Sequence, residues 1–347
     1  MWQTLGQDHV INFLRDSIQR GTLAHAYLLA GPAHVGKMRL ALDLAKTLNC
    51  TGSQPPCGNC PACQRIEQGK FSDVVIIDKN AGRDPKERKK ATEIGIDTIR
   101  ELLQHGSNLP PYEGKFKVFI VDDAELMSTE AANCLLKTLE EPPKYIVLIL
   151  LSSKDNLLLP TVISRCQRFE LKPLAISEIE ARMAHNPDVP PEKARLLARL
   201  SNGCLGWALT AMGDNNYFNQ RDARLSEFAA LITQTWDERF NYAQQLPSDR
   251  SSVEELVRLW LLWSRDVMLV KYNCDDQVTN LDRLKELKSW ANMMTVVEIT
   301  GLIECLNKAL VDLGYNANIH LLFEVIMLDI PRKDKRAGYA FSSASTV

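Results

Sequence analysis

No stretch of this 347-residue chain approaches the roughly 18 consecutive apolar side chains of a membrane span. The opening residues, MWQTLGQDHVINFLRD, carry acids and amides where a signal peptide needs a continuous apolar segment, so a soluble cytoplasmic protein is expected. Charge of one sign is missing as well: 41 Lys and Arg face 43 Asp and Glu, for a formal net charge of −2. A protein that grips nucleic acid alone concentrates basic residues, so any nucleic acid here is expected to be shared with partners. The run GRDPKERKK (82–90) is the densest basic segment and reads first as a solvated loop. Aromatics make up only 7%, and Trp207, Trp260, Trp263 and Trp290 fall in helical patterns that suit a core better than base stacking. Among the six histidines, His25, His34 and His105 show no catalytic or metal-ligand spacing.

What is present is enough apolar residue, 45%, for two or three domains. Val10, Ile11, Phe13, Leu14 and Ile18 recur at helical spacing before Gly21, which predicts a first helix. AYLLAG (26–31) predicts a short strand entering a glycine loop, and KMRLALDLAKTLN a helix after it. DVVIID (73–78), KFKVFIVDD (115–123) and YIVLILL (145–151) predict further strands, the last buried on both faces. Strand and helix alternate, which implies a parallel sheet wrapped by helices. After about residue 170 every pattern is helical. Turn formers near LKPLA (171–175) and GDNNYFNQ (213–220) divide this half. The expected domains are therefore 1–172, an α/β core; 173–213, a small helical piece; 220–330, a helical bundle; and 331–347, a frayed polar tail.

Four features carry chemistry. GPAHVGKM (31–38) sets Gly31, Gly36 and Lys37 where a strand becomes a helix, so backbone amides, helix dipole and lysine can converge on phosphate. Met38 stands where a hydroxyl would bind magnesium, and a thioether is a poor ligand for that hard cation. Asp122 and Asp123 end the strand KVFIV, where acids can hold a metal-bound water and orient an attacking one, although such acids also serve as plain surface caps. Cys50, Cys57, Cys60 and Cys63, spaced C-x6-C-x2-C-x2-C among prolines and glycines, suit a closed tetrahedral zinc site of structural type. NCLLKTLEEPP (133–143) predicts a helix stopped by two prolines, and SRC (164–166) carries Arg165, which by residue physics alone is a solvated surface side chain.

Taken in order, GPAHVGKM, the cysteine insert (about 50–63), VDDAELM, LLKTLEEPP and SRC resemble bacterial clamp-loader subunits, the AAA+ proteins of DNA polymerase III. The resemblance spans the chain to about residue 330. It implies a RecA-like core with a small zinc-binding insert, a helical lid and a helical collar that joins subunits into a ring. Two kinds of family member carry these elements: the ATP-hydrolysing gamma/tau motor and the delta-prime kind, which has a degenerate nucleotide site. Met38, Asp123 in place of the catalytic Glu, and Gly206 in place of the lid arginine favour the second; Ser153 still occupies the first sensor position. The absence of a long extension after the collar agrees. The resemblance then implies that Gly31, Gly36, Lys37, Asp122, Asp123 and Ser153 form a relic site with weak ATP and magnesium binding at most. Arg165 would act in trans on the triphosphate of a neighbouring motor, with Ser164 and Cys166 as its supports. The partners implied are gamma/tau and delta in a hetero-pentamer, the sliding clamp, and primer-template DNA met through the complex. A hydrolysing gamma/tau-type motor and a stand-alone zinc-containing DNA-binding protein are the competing readings.

Overall fold

In the computed structural model, residues 2–81, 92–104, 106, 109–247, 249–315 and 317–332 are described. The basic run 82–90, His105 and the tail from residue 333 onward lie outside them. The chain divides into two units, residues 1–179 with 201–207, and residues 180–200 with 208–347.

The first unit is built on five parallel strands: β1 (Ala26–Ala30), β2 (Val74–Ile77), β3 (Lys117–Val121), β4 (Ile146–Ser152) and β5 (Gln167–Glu170). Their order is β2-β3-β4-β1-β5, with Ala30 opposite Ser152 and Ile77 opposite Val121. All of β1 and β4 is buried, as expected for apolar central strands covered on both faces. The strand period of two sorts the side chains. Tyr27, Leu29, Val118 and Ile120 meet helices α1 (Asp8–Arg20) and α2 (Lys37–Asn49) through Leu14, Leu40 and Leu44. Leu28, Phe119, Val121 and Leu148 turn the other way, toward Ile99 of α4 (Ile96–Ile99) and Leu135 and Leu139 of α5 (Thr129–Glu140). Each such fully buried leucine contributes about 1.5–3 kcal/mol by leaving water. Helix α3 (Pro61–Glu67) follows α2, and the single turn α6 (Pro160–Ile163) leads into β5. Along α1 the expected apolar face is displaced: Phe13 is 42% exposed and meets Phe169 edge-on, while Ser17 is buried.

Beyond α7 (Ile176–Ala184), α8 (Pro191–Leu200) and α9 (Leu205–Met212), the second unit contains α10 (Asn215–Leu231), α11 (Trp236–Gln245), α12 (Arg250–Lys271), α13 (Leu284–Met293), α14 (Val296–Gly314) and α15 (Ile319–Asp329). The turn formers at 213–220 do not form a loop. Asp214 accepts a hydrogen bond from the Tyr217 amide and starts α10 at Asn215, so helix capping overrides local composition. Thr235 with Glu238, and Thr295 with Glu298, form capping boxes at α11 and α14. Trp260, Trp263 and Trp290 are core residues as expected, Trp260 stacking on Phe228 at 4.7 Å and Trp263 meeting Trp290 edge-on at 6.0 Å. Arg239 is wholly buried and donates to the carbonyls of Leu231, Met327, Ile330 and Pro331, closing helix ends with one guanidinium.

Candidate functional site

Parallel strands gather the carboxyl ends of β1, β3 and β4 at one edge of the sheet, with β4 between the other two. Gly31 follows β1, Asp122 and Asp123 follow β3, and Ser153 follows β4, so Gly31, Gly36, Lys37, Asp122, Asp123 and Ser153 share that end. Gly31 and Gly36 take φ of 151° and 109°, values that suit glycine. Gly36 caps α2 with no side-chain hydrogen bond, leaving the first amides of the helix available to an anion.

Lys37 is buried, and its ammonium donates to the carbonyls of Gly31 at 2.7 Å and Pro32 at 2.8 Å. Burial pushes its pKa down, against the pull of Glu125, Asp122 and Asp123. Met38 packs half-buried against the apolar cluster of this sheet face and offers no oxygen to a cation. The amide of Gly206, at the start of α9, donates to the His34 carbonyl at 3.1 Å. A Cβ at residue 206 would lie 2.8 Å from that oxygen, so the helix lies directly on the phosphate loop with no room for a side chain. These residues fit a phosphate anion better than a magnesium triphosphate.

Burial, then the adjacent Asp123, raise the pKa of Asp122. Asp123 adopts a left-handed φ of 47°, and its amide donates to the Asp122 carboxylate. A third acid was not singled out from the sequence. Glu125, in the turn Ala124–Leu126, accepts from the Ser153 amide at 3.0 Å and hydroxyl at 2.6 Å. Burial opposes its ionisation, but the Ser153 and Ser152 hydrogen bonds win and lower its pKa. Its Oε2 is buried and finds no hydrogen-bond partner. The signal was present in VDDAELM as an acid three residues past Asp122, yet nothing local pairs it with a serine 28 residues on.

Cys50, Cys57, Cys60 and Cys63 come together, with all four Sγ atoms within 4.8 Å of one another. Cys50 closes α2 and Cys60 caps α3, so two helix ends bring the thiols to one point. Amides of Gly52 and Cys57 donate to Cys50 Sγ, that of Cys60 to Cys57 Sγ, and that of Cys63 to Cys60 Sγ. Burial opposes ionisation of Cys60, but these and other donors outweigh it and bring its pKa down to about 5. The cluster can hold a metal ion, and its ring of N–H donors suits thiolate ligands. Arg39 and Lys46 of α2 both pair with Glu67 of α3, fastening this insert to the phosphate-loop helix.

Arg165 does not join the strand-end cluster. It precedes β5, and Gln167 is level with Tyr27, so about 13 Å of strand, four residues at about 3.3 Å each, separates Gln167 from the level of Gly31. The guanidinium pairs with Glu140 at 2.8 Å and donates to the Thr161 carbonyl at 3.0 Å. The last acid pair of LLKTLEEPP therefore holds the arginine of SRC. Ser164 lies 3.5 Å from the guanidinium, and half-buried Cys166 packs below against the apolar cluster, where burial pushes its pKa up to about 12.

A five-strand parallel sheet of this order, with a glycine-lysine loop after β1, acids after β3 and a polar residue after β4, defines a RecA-like core of the AAA+ class. A family model described as "DNA polymerase III, delta subunit" matches residues 6–175. The chain is 31% identical over 327 residues to DNA polymerase III subunit delta' of Bacillus subtilis (strain 168), covering 93% of this chain and 95% of that one. It is 37% identical over 213 residues to DNA polymerase III subunit tau of Escherichia coli (strain K12), over 59% of this chain and 31% of that one. The chain thus spans about a third of the length of the tau subunits it matches. A gamma subunit-related protein of Thermotoga maritima, a solved structure, aligns at 19% identity and a TM-score of 0.45, over 91% and 98% of the two chains. The chain belongs to the DNA polymerase III clamp-loader family that contains the delta' and gamma/tau subunits. Among the described residues, no helix is long and apolar enough to cross a membrane.

Proposed function

We propose that this chain is the delta-prime-type subunit of a clamp loader, one that hydrolyses little or no ATP itself and lends Arg165 to a neighbouring motor subunit. The observation that carries this reading is the seating of Gly206 on the His34 carbonyl, which excludes the arginine that a hydrolysing lid would bring to a γ-phosphate. Met38 and the turned-in Lys37 support it. The distance of Arg165 from its own phosphate loop supports action in trans. A guanidinium suits this work because it is always charged and its planar fork grips phosphate at two points. Cys50, Cys57, Cys60 and Cys63 are proposed to hold one structural zinc.

The proposed partners are gamma/tau and delta subunits in a hetero-pentamer, the sliding clamp, and primer-template DNA reached through the assembly, in the cytoplasm. Support for assembly through the helical half comes from Val311, Tyr315, Leu321, Val325 and Leu328 of and beside α14 and α15, which are 48–83% exposed. The motor reading keeps one observation in its favour, the retained Ser153 beside an ionised Glu125. Steady-state ATP hydrolysis of the isolated chain separates the two. No multi-turnover hydrolysis is expected, and none that depends on Lys37; sustained turnover abolished by Lys37→Ala would establish the motor instead.

A further inference from the structure

A cavity of about 450 Å³ opens at the amino ends of the strands, opposite the phosphate loop. Ile146 and Val147 at the start of β4, His25 just before β1, Phe116 just before β3 and Pro143 line it. This is the end of the sheet from which Arg165 enters β5, and the two features are joined covalently. The segment 140–144 carries Glu140, which grips Arg165, and then Pro142, Pro143 and Lys144, which form one wall. The polar character of the wall is one-sided. Lys144 is exposed and forms no ion pair among the described residues, and no carboxylate lies among the residues that line the cavity. The His25 imidazole keeps Nε2 buried without a hydrogen-bond partner. Its size admits one or two side chains, far less than a helix.

We infer that this cavity is a socket for an acidic residue and its apolar neighbour from the adjoining motor subunit, seated beside Arg165. This rests on the in-trans reading of Arg165 given above. Apolar walls would bury the aliphatic part, while Lys144 at the mouth would meet the carboxylate, a pairing that sets partner choice and register more than raw affinity. Because the Glu140–Lys144 segment joins socket and guanidinium, an occupied socket would fix where Arg165 stands against the neighbour's phosphates. Positioning within a fraction of an ångström matters for such a group.

The test uses the full chain and an immobilised gamma/tau-type motor subunit, with surface plasmon resonance as the readout. Lys144→Glu is expected to weaken binding at least tenfold at low salt, the difference narrowing as ionic strength rises. Ala24→Trp, which fills the cavity from its wall, is expected to weaken binding independently of salt. Both variants are to be compared with the parent by circular dichroism. Arg165→Ala is expected to leave binding intact and lower only ATP turnover of the assembled complex. If Lys144→Glu and Ala24→Trp, both folded, bind the motor as the parent does while Arg165→Ala still lowers turnover, the socket is refuted and the in-trans reading stands. If Arg165→Ala leaves turnover unchanged, that reading falls and takes this inference with it. Loss of primed-DNA retention by the Lys144→Glu complex, with subunit affinity unchanged, would assign the cavity to nucleic acid and overturn the inference.

Discussion

Replacing Arg165 by alanine separates what the guanidinium does for folding from what it does for a neighbour. Its ion pair with Glu140 joins side chains that are 36% and 52% exposed. Exposed pairs of this kind are worth about 0.2–1 kcal/mol. Thermal unfolding is therefore expected to shift by no more than about 4 °C for a unit of this size. An arginine that stabilises charge on a transferred phosphoryl is worth about 10³–10⁵ in rate, or about 4–7 kcal/mol at 1.4 kcal/mol per decade. The ratio between these effects is the diagnostic: a nearly unchanged melting curve beside a large loss at the one motor site adjoining this chain. Arg165→Lys keeps the charge but not the fork, and is expected to fail nearly as badly. The assay is ATP turnover of the reconstituted complex, with gel filtration to verify assembly. Unchanged turnover in an intact complex would refute the reasoning, as would a stability loss large enough to account for the lost activity.

Metal analysis is expected to find about one zinc per chain. Cys60→Ser or a strong chelator should lower folding yield and melting temperature rather than activity per folded molecule. Asp73 is buried; burial raises its pKa, but the amides of Glu113, Tyr112 and Gly114 and the charge of Lys117 win and hold it below the usual carboxylate range. A depressed folded pKa contributes stability above the unfolded value near about 4 that is lost as pH falls through the folded one. Asp73→Asn should thus cost about 1–3 kcal/mol at pH 7 and flatten the acid limb of a denaturation-versus-pH curve. For Arg239→Met, which strands four carbonyls, urea unfolding should show a loss of about 3–5 kcal/mol; a loss below 1 kcal/mol would mean that water replaces the guanidinium freely.

Local chemistry made much of this protein legible before any coordinates. Gly31, Gly36 and Lys37 announce a strand-loop-helix because glycine tolerance and helix entry act over a few residues. The cysteines announce a metal-binding loop because C-x2-C spacing alone lets thiols converge. The period of two in AYLLA and the period near 3.6 in KMRLALDLAKTLN are equally local, and both elements formed where expected. Elsewhere the local signal failed for an identifiable reason. Residues 215–220 look like a turn, yet Asp214 caps them into a helix whose Arg221 is drawn into a buried pair with Asn280 and Asp282, about 60 positions away.

The amino-acid sequence by itself determined the elements, the composition of the phosphate loop and the cysteine tetrad, because propensities, caps and short ligand spacings are interactions between near neighbours. The tertiary structure alone decided which strand lies beside which. From that order follow the meeting of Glu125 with Ser153, the grip of Glu140 on Arg165, and the removal of that arginine to the end of the sheet away from its own phosphate loop. Such pairings are chosen by burying apolar faces across more than a hundred residues of chain, as when β1 pairs with β4, and no periodicity in a short window carries that information.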